Sequence, residues 1–346
     1  MRKIVSVRNS LILLIPLAVI VSAAKYSSVF NTRLVTSGST QRKVVELKSV
    51  LSVPNTGFVD IAMLRNGRIV AASIDDRESK YLYLSDNGGV SWRKVTLPIG
   101  GAQGISFVDE MHGWIVTYGA VLKSEDGGET WSQIGKPTKY PLSVVKFINL
   151  QVGYAAGGAE RGCQIFRTSD GGKTWTKIYE NFEGGTVFDL EALDQETVIG
   201  AINDAFLLRS EDSGTTWQKI EIGIRGASAL AVGPGSIVWL VGRRASFCYS
   251  IDKGRTWEPV VLPNSSMNTD WISIAFSSAQ RGVAVGKKGV IVVSDDGGKS
   301  WLETRADVAD DLRRIQVNEE SALITGSHAV YRLDLSHRLS EAKGSH

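Results

Sequence analysis

The sequence predicts an all-β fold, a seven-bladed β-propeller built as one ring. Three observations lead to this prediction: a motif ending in tryptophan recurs along the chain, its copies are 39 to 44 residues apart, and apolar strand patterns flank each copy. A repeat of about 40 to 45 residues is the period of a four-stranded propeller blade. The repeat covers residues 43–335, so one ring is favoured over the two domains that a chain of 346 residues would allow.

The repeated motif reads S/T-x-D-x-G-x-S/T-W, the Asp-box, and six of the nine tryptophans end a copy. The third position holds Asn87, Asp126, Asp170, Asp212, Asp252 and Asp296, and the last holds Trp92, Trp131, Trp175, Trp217, Trp257 and Trp301. We expect the Asp or Asn to accept hydrogen bonds from N–H groups of its own turn, the Gly two positions later to adopt positive φ, and the Trp to pack on the neighbouring sheet. A structural role is favoured over calcium binding, because each turn offers too few carboxylates.

Each blade is expected to contain four antiparallel strands, A to D from the axis outward, with the Asp-box as the C–D hairpin. In blade two these strands are Gly104–Val108, Trp114–Tyr118, Val121–Ser124 and Thr130–Ile134. Strand B ends in Gly in several blades, and a small residue there suits close approach of neighbouring sheets.

The seventh blade has three strands after Trp301 and no Asp-box; the strands are Leu312–Val317, Ala322–Thr325 and Ala329–Leu335. A lone strand, Lys43–Leu47, precedes the first blade. We expect this N-terminal strand to become strand D of blade seven, which closes the ring and removes exposed sheet edges. A six-bladed ring with an extra C-terminal hairpin is the alternative.

The N-terminus has the layout of an export segment. Arg2, Lys3 and Arg8 precede the apolar run Leu11–Val21, and small residues follow it. Residues 1–24 are therefore expected to be a signal peptide or an uncleaved signal-anchor, residues 25–42 a linker and residues 336–346 a tail. This layout predicts a periplasmic or other extracytoplasmic location, with an uncleaved segment holding the chain at the membrane as the second possibility.

Basic residues are expected to gather on the face opposite the Asp-boxes. The A–B and C–D turns share one face of an antiparallel blade, and the B–C and D–A turns share the other. The candidate partner-binding residues on this second face, or at the start of the nearby innermost strand of blade seven, are Arg77, Arg161, Arg225, Arg243, Arg244, Lys287, Lys288, Arg313 and Arg314. Lys80 and His328 lie there too, while Glu160, Asp204, Asp310 and Asp311 dilute the charge. The other interpretation is that turns are simply where charge is solvated.

Catalytic, metal and cofactor sites are not indicated. The four His form no HxH or HExxH pattern, no GxSxG elbow occurs, and Cys163 and Cys248 fall on blades that are not neighbours, so buried thiols are expected. A sialidase-like site would need an Arg near Gly57–Ile61, which has none, and Tyr331 is a poor nucleophile candidate on strand C. The net charge of +3 and the absence of aromatic residues among the basic turns disfavour nucleic acid.

The chain resembles the photosystem II stability and assembly factor family, through its export segment, its length and its Asp-boxes. The best match is Ala284–Trp301, a G-x-x-G turn followed by S-x-DGG-x-S/T-W. The resemblance implies a non-catalytic propeller that binds a photosystem subunit and carries a surface arginine patch. No Cys follows the apolar run, so the lipobox of cyanobacterial members is missing, and there is no plastid-type transit peptide.

These features together predict an exported, non-catalytic scaffold, monomeric and without cofactor, that binds a membrane protein or complex. The alternative is a glycan-binding or sialidase-like propeller. Acidic or aromatic side chains converging at the central channel would favour the glycan function, whereas a shallow charged face would favour the scaffold.

Overall fold

A computed structural model describes residues 43–75, 80–182, 185–202, 206–223, 226–262, 269–277 and 280–336. These residues form 29 strands in seven sheets arranged as a seven-bladed β-propeller. The predicted all-β, seven-bladed fold is confirmed. In each blade strand A is innermost, and A strands of neighbouring blades contact each other around the ring, including those of blades seven and one.

The strands follow the chain blade by blade. Two N-terminal strands come first: β1 (Lys43–Val45) and β2 (Lys48–Ser52). Blade one contains β3 (Thr56–Met63), β4 (Ile69–Asp75), β5 (Tyr81–Ser85) and β6 (Arg93–Thr96). Blade two contains β7 (Gly104–Phe107), β8 (Gly113–Val116), β9 (Val121–Ser124) and β10 (Ser132–Gly135). Blade three contains β11 (Leu142–Phe147), β12 (Gly153–Ala159), β13 (Gly162–Thr168) and β14 (Thr176–Asn181).

The remaining blades repeat this plan. Blade four contains β15 (Val187–Ala192), β16 (Val198–Ile202), β17 (Phe206–Ser210) and β18 (Gln218–Glu221). Blade five contains β19 (Ala227–Val232), β20 (Val238–Gly242), β21 (Phe247–Ser250) and β22 (Glu258–Pro259). Blade six contains β23 (Trp271–Phe276), β24 (Gly282–Gly286), β25 (Val290–Ser294) and β26 (Leu302–Ala306). Blade seven contains β27 (Leu312–Val317), β28 (Ser321–Gly326) and β29 (Ala329–Asp334).

An N-terminal strand closes the last blade, but it is not the segment the sequence suggested. Strand β2 pairs antiparallel with β29 and supplies strand D of blade seven. The expected segment, Lys43–Leu47, instead contributes β1, which pairs parallel with β26 and adds a fifth strand to blade six. The closure is confirmed, and the assignment of Lys43–Leu47 to it is wrong.

The buried side chains explain this arrangement. Val45 and Leu47 enter the apolar layer between blades six and seven, and Leu51 enters the layer between blades seven and one. Asp307 holds the segment that leads from β1 to β2. Its carboxylate accepts the Leu47 N–H at 3.0 Å, and its own N–H donates to the Val45 carbonyl at 3.2 Å. The N-terminal segment therefore joins blades six, seven and one.

The six Asp-box hairpins share one hydrogen-bond pattern. The hydroxyl of the first residue accepts the N–H of the fifth, a Gly, at 2.8–2.9 Å. The side-chain oxygen of the third residue accepts the N–H of the seventh at 2.8–2.9 Å. That Gly has φ between 79° and 95°, where a Cβ would be strained. The Trp packs in the apolar layer between its own blade and the preceding one.

Neighbouring blades are also joined by a hydrogen bond that we call the inter-blade latch. In each case a side chain of one blade donates to the carbonyl of the fourth residue of the next Asp-box. The latches are Arg332 to Gly88, Arg68 to Gly127 at 3.1 Å, Trp114 to Gly171 at 3.0 Å, Tyr154 to Ser213 at 3.4 Å and Arg209 to Lys253 at 2.7 Å. The acceptor position is constant along the ring while the donor residue type changes.

Acid should weaken the propeller through the Asp-boxes. Hydrogen bonds from the Thr174 hydroxyl and N–H, with Thr168, lower the pKa of Asp170 from 3.8 to about 2. The folded chain therefore holds this proton less readily than the unfolded chain, so Asp170 stabilises the fold above its unfolded pKa, and this contribution is lost as the pH falls from about 4 to about 2. We expect Asp170→Asn to lose less free energy of unfolding between pH 6 and pH 3 than the natural chain, as measured by urea denaturation.

Asn87 shows that an amide fits this position, because it makes the corresponding bonds to Ser85 and Ser91 in the first hairpin. The control is Glu46→Gln, which alters an exposed carboxylate outside the hairpins. An unchanged pH dependence in Asp170→Asn would contradict the prediction.

Candidate partner-binding face

The B–C and D–A turns define the face opposite the Asp-boxes, which we call the basic face. Arg161 lies in the B–C turn of blade three, Arg243 and Arg244 in that of blade five, and Lys287 and Lys288 in that of blade six. All five side chains belong to exposed residues. The candidates Arg77 and Arg225 lie outside the described residues.

Four of these basic residues come together, and we call them the blade five–six cluster: Arg243, Arg244, Lys287 and Lys288. Asp270, at the start of blade six, joins the two turns. Its carboxylate accepts the Arg244 N–H at 3.1 Å and contacts Lys287 Nζ at 3.1 Å. Arg244 and Lys288 both have positive φ, 54° and 57°, a left-handed conformation typical of tight turns between strands. The cluster is thus a group of four exposed basic residues from two turns that Asp270 connects.

The acidic residues of this face are engaged in the turns. The Arg244 N–H, followed by the Lys287 side chain, holds the pKa of Asp270 below its usual value, so it is ionised at neutral pH. Asp311 accepts the Lys288 N–H at 3.1 Å. Asp310 accepts the Tyr331 hydroxyl at 2.9 Å and N–H groups of the blade seven turn. These carboxylates order the turns, and the lysine and arginine tips remain at the surface. Asp270 is not among the residues predicted from the sequence, because its role depends on contacts between two blades.

Arg313 and Arg314 differ from the cluster in their surroundings. Both lie in β27 at a bulge, because Leu312 pairs with Gly326 while the next paired residue is Ile315. The Arg314 guanidinium turns into the central channel, where it donates to Asp189 Oδ2 at 3.3 Å and to the Phe188 carbonyl at 3.1 Å. Arg313 is partly buried. The structure therefore does not bring Arg314 together with the four cluster residues.

The channel carries a charge network that the sequence analysis did not identify. Besides the Arg314–Asp189 pair, Lys146 Nζ contacts Glu191 Oε1 at 2.8 Å, and Asp60 accepts the N–H groups of Ile61 and Ile105 at 2.9 and 2.8 Å. Burial raises the pKa of Asp60 and of Glu191, against the attraction of Arg314 and Lys146. A cavity of about 230 Å³ lies among these innermost strands. In the sequence, the signal for this network is a polar or charged residue within an otherwise apolar strand A.

This network bears directly on the glycan alternative, because acidic residues do converge in the channel. A glycosidase needs one carboxyl group as acid and a second as base or nucleophile. Here Asp189 and Glu191 are each paired with a cation, and Asp60 bridges two backbone N–H groups. The arrangement links the inner strand of blade one with that of blade two, and the inner strand of blade four with those of blades three, five and seven, and it does not present a pair of unengaged carboxylates.

Exposed aromatic side chains lie on the basic face as well. Tyr118 follows strand B of blade two and Phe182 follows strand D of blade three; they are 57% and 66% exposed. Tyr140 donates to Glu160 at 3.2 Å, and Lys139 Nζ lies 5.2 Å from its ring centre. The sequence analysis found no aromatic residues among the basic turns, and in this it is wrong. Lys139 and Tyr140 are adjacent in the sequence, whereas Tyr118 and Phe182 come from other turns, and the fold places all of them on one face.

Other site types find little support in the described part of the chain. Cys163 and Cys248 are buried free thiols, and burial raises their pKa to about 11 and about 12. Among the described residues no group of three or more His, Cys, Asp and Glu side chains is placed to hold a metal ion. Within the described ranges the helices are short 3-10 turns, at Pro234–Ser236 and Lys287–Gly289, and neither is long and apolar enough to cross a membrane.

Comparisons with known proteins agree with this architecture. The family model described as "Photosynthesis system II assembly factor YCF48" matches residues 84–229. The chain is similar to "Photosystem II assembly lipoprotein Ycf48" of Synechococcus sp. (strain CC9902), with 23% identity over 294 residues that cover 82% of this chain and 85% of the relative.

Two solved structures show the same fold. One, described as "YCF48 bound to D1 peptide", has a TM-score of 0.69 and 17% identity, over 88% of this chain and all of that one. The other is the GH74 xyloglucanase of Xanthomonas campestris, with a TM-score of 0.65 and 15% identity, over 84% of this chain and 54% of the enzyme. The likeness to an enzyme at this identity reflects the shared propeller alone. The resemblance to the photosystem II assembly factor family of Asp-box β-propellers is thereby confirmed.

Proposed function

We propose that the protein is an exported assembly scaffold that binds an acidic segment of a membrane protein or membrane complex through its basic face. The observation that carries the proposal is the blade five–six cluster. Four basic residues from two adjacent turns are exposed there, and the carboxylate that links the two turns, Asp270, is held by backbone and side-chain donors. Such a surface attracts and orients acidic partners.

The relatives give this proposal its biological class. Similar proteins are described as photosystem II assembly lipoproteins, and a structure of the same fold is described as bound to a D1 peptide. We infer the same class of partner here, a membrane-protein subunit during assembly. The relatives are lipoproteins, whereas residues 1–42 contain no Cys. We therefore propose that residues 1–24 direct export, as a cleaved signal or a retained anchor, and that residues 25–42 link them to the propeller. We also propose that the propeller acts as a monomer without cofactor.

Charge reversal tests the binding face. Arg243→Glu/Arg244→Glu/Lys287→Glu/Lys288→Glu replaces four positive charges with four negative ones, so capture of partner subunits from detergent-solubilised membranes, and of a D1 peptide, should fall at least about tenfold. Binding by the natural chain should also weaken as salt rises, because the charges are exposed. Surface plasmon resonance of the peptide and mass spectrometry of the captured subunits provide the measurements.

The matched control reverses charge on the other face. Lys173 and Lys299 are exposed residues of Asp-boxes three and six, so Lys173→Glu/Lys299→Glu can be compared with Lys287→Glu/Lys288→Glu. The control should bind normally. Equal binding by the natural chain and all variants would contradict the proposal. Hydrolysis of sialosides or xyloglucan by the natural chain would instead favour the glycan alternative.

A further inference from the structure

A polar cavity lies on the Asp-box face, between the hairpins of blades three and four, and Arg167 contributes to its wall. The cavity has a volume of about 350 Å³ and is lined mainly by Arg167, Ser169, Thr174, Thr176, Ser213 and Thr215. The Nε atom of Arg167 is buried and has no hydrogen-bond partner within the described part of the chain. A buried guanidinium N–H without an acceptor is costly, because the group is always charged and can only donate.

The next blade shows how an arginine at this position is normally satisfied. Arg209 occupies the equivalent place, one residue before the Asp-box of blade four, and is 1% exposed. Its Nε donates to the Lys253 carbonyl at 2.7 Å, which is the inter-blade latch, and its Nη2 contacts the Glu211 carboxylate at 2.7 Å. The internal repeat thus supplies a template in which a carbonyl and a carboxylate accept the hydrogen bonds of the guanidinium.

Both partners are missing for Arg167. The second residue of its Asp-box is Ser169 where blade four has Glu211. The carbonyl that would form the latch, that of Ser213, is taken by the Tyr154 hydroxyl at 3.4 Å. Tyr154 lies opposite Arg167 in the sheet, and its counterpart opposite Arg209 is Ile199, which has no hydroxyl. The tyrosine therefore makes the latch in place of the arginine, and the Arg167 Nε does not bond to that carbonyl.

Two of the six hairpins lack an acidic residue at the second Asp-box position, where blade three has Ser169 and blade five has Ile251. The second Asp-box residue is acidic in four hairpins, and each of these carboxylates pairs with a basic side chain. The pairs are Asp86 with Arg68 at 2.7 Å, Glu125 with Lys123 at 2.5 Å, Glu211 with Arg209 at 2.7 Å and Asp295 with Arg281 at 2.8 Å. Blade three keeps the cation of such a pair and lacks the carboxylate.

We propose that this cavity is a binding site for an external oxyanion, a carboxylate or phosphate group that takes the place of the missing glutamate. The planar guanidinium suits two-point contact with either group. Asp170 and Asp212 border the site, but their oxygens accept hydrogen bonds from Thr174 and Thr216 within their own hairpins. The site lies opposite the basic face, so it is independent of the partner-binding proposal.

Titration calorimetry of the full chain with sodium phosphate and, separately, sodium acetate, at constant ionic strength, tests the site. We expect saturable binding of at least one anion, and the comparison shows which oxyanion the site prefers. In Arg167→Gln the affinity should fall about tenfold or more, as expected for loss of hydrogen bonds to a charged group. Arg65→Gln, which alters an exposed arginine in the A–B turn of blade one, should bind as the natural chain does.

Two further variants use the internal template. Ser169→Glu supplies the carboxylate seen in blade four, so it should raise the thermal midpoint and abolish anion binding, whereas Ser169→Gln should keep binding. Tyr154→Phe frees the Ser213 carbonyl for Arg167 and should weaken binding. Anion affinity that is unchanged in both Arg167→Gln and Ser169→Glu, or no measurable binding by the folded natural chain, would overturn the proposal.

Discussion

Removal of residues 1–53 is expected to leave a chain that no longer folds into a stable propeller. The deletion takes away β1 and β2 and with them the buried side chains of Val45, Leu47 and Leu51. Burial of each is worth about 1.5–3 kcal/mol, and their sum is comparable with the net stability of a typical domain, about 5–15 kcal/mol. The deletion also exposes the edge of β29 to pairing with other chains. Circular dichroism and size-exclusion chromatography should show lost cooperativity and aggregation.

Point variants separate the contributions of the two strands. Leu51→Ala weakens β2 in blade seven, and Leu47→Ala weakens the segment beside blade six; each should cost about 2–5 kcal/mol in urea denaturation. Ser52→Ala, at an exposed position of β2, should have little effect. A truncated chain that unfolds with the natural midpoint would show that the ring closes without these strands.

The second large effect is expected for Trp239→Ala, with a loss of about 3–5 kcal/mol in the free energy of unfolding. Trp239 is fully buried between blades five and six, and its ring centre lies 5.2 to 6.2 Å from those of Phe276, Tyr249, Trp301 and Phe247. A Cβ on Gly298 would lie 2.2 Å from the indole, so this glycine is needed for the ring to fit. Removing the indole leaves a cavity that surrounding strands cannot fill.

Trp114 provides a matched comparison. It occupies the equivalent place in blade two and is equally buried, but its Nε1 forms the latch to the Gly171 carbonyl, while the Trp239 Nε1 has no partner among the described residues. Trp114→Phe should therefore cost about 1 kcal/mol more than Trp239→Phe. Equal losses for the two Phe variants would mean that the latch adds nothing to stability.

The sequence allowed the blade count and the strand order to be predicted, because the Asp-box repeat carries both. In blade two the strand bounds agree with the structure to within two residues. The closing strand could not be assigned in the same way. Val45 and Leu47 alternate with exposed residues and Leu51 is followed by one, so the pattern indicates a half-buried segment but does not indicate which sheet edge it joins.

Only part of the candidate face could be predicted from the sequence, because the rest depends on contacts between blades. Turn positions place Arg243, Arg244, Lys287 and Lys288 on one face, but their assembly into one cluster depends on Asp270, whose contacts cross from blade six to blade five. Arg314 shows the opposite case, since a bulge in β27 turns it toward Asp189. Periodicity describes each blade separately, whereas these contacts are set by how neighbouring blades meet.

The inter-blade latch limits how such a ring can change by duplication or exchange of blades. A transplanted blade brings its own hairpin carbonyl but depends on the preceding blade for a donor of the right length, which is arginine in some places and tryptophan or tyrosine in others. The smallest exchangeable module is therefore the A–B turn and strands B and C of one blade together with the Asp-box of the next. Chimeras whose crossover points keep this module intact should fold more stably than chimeras joined between whole blades.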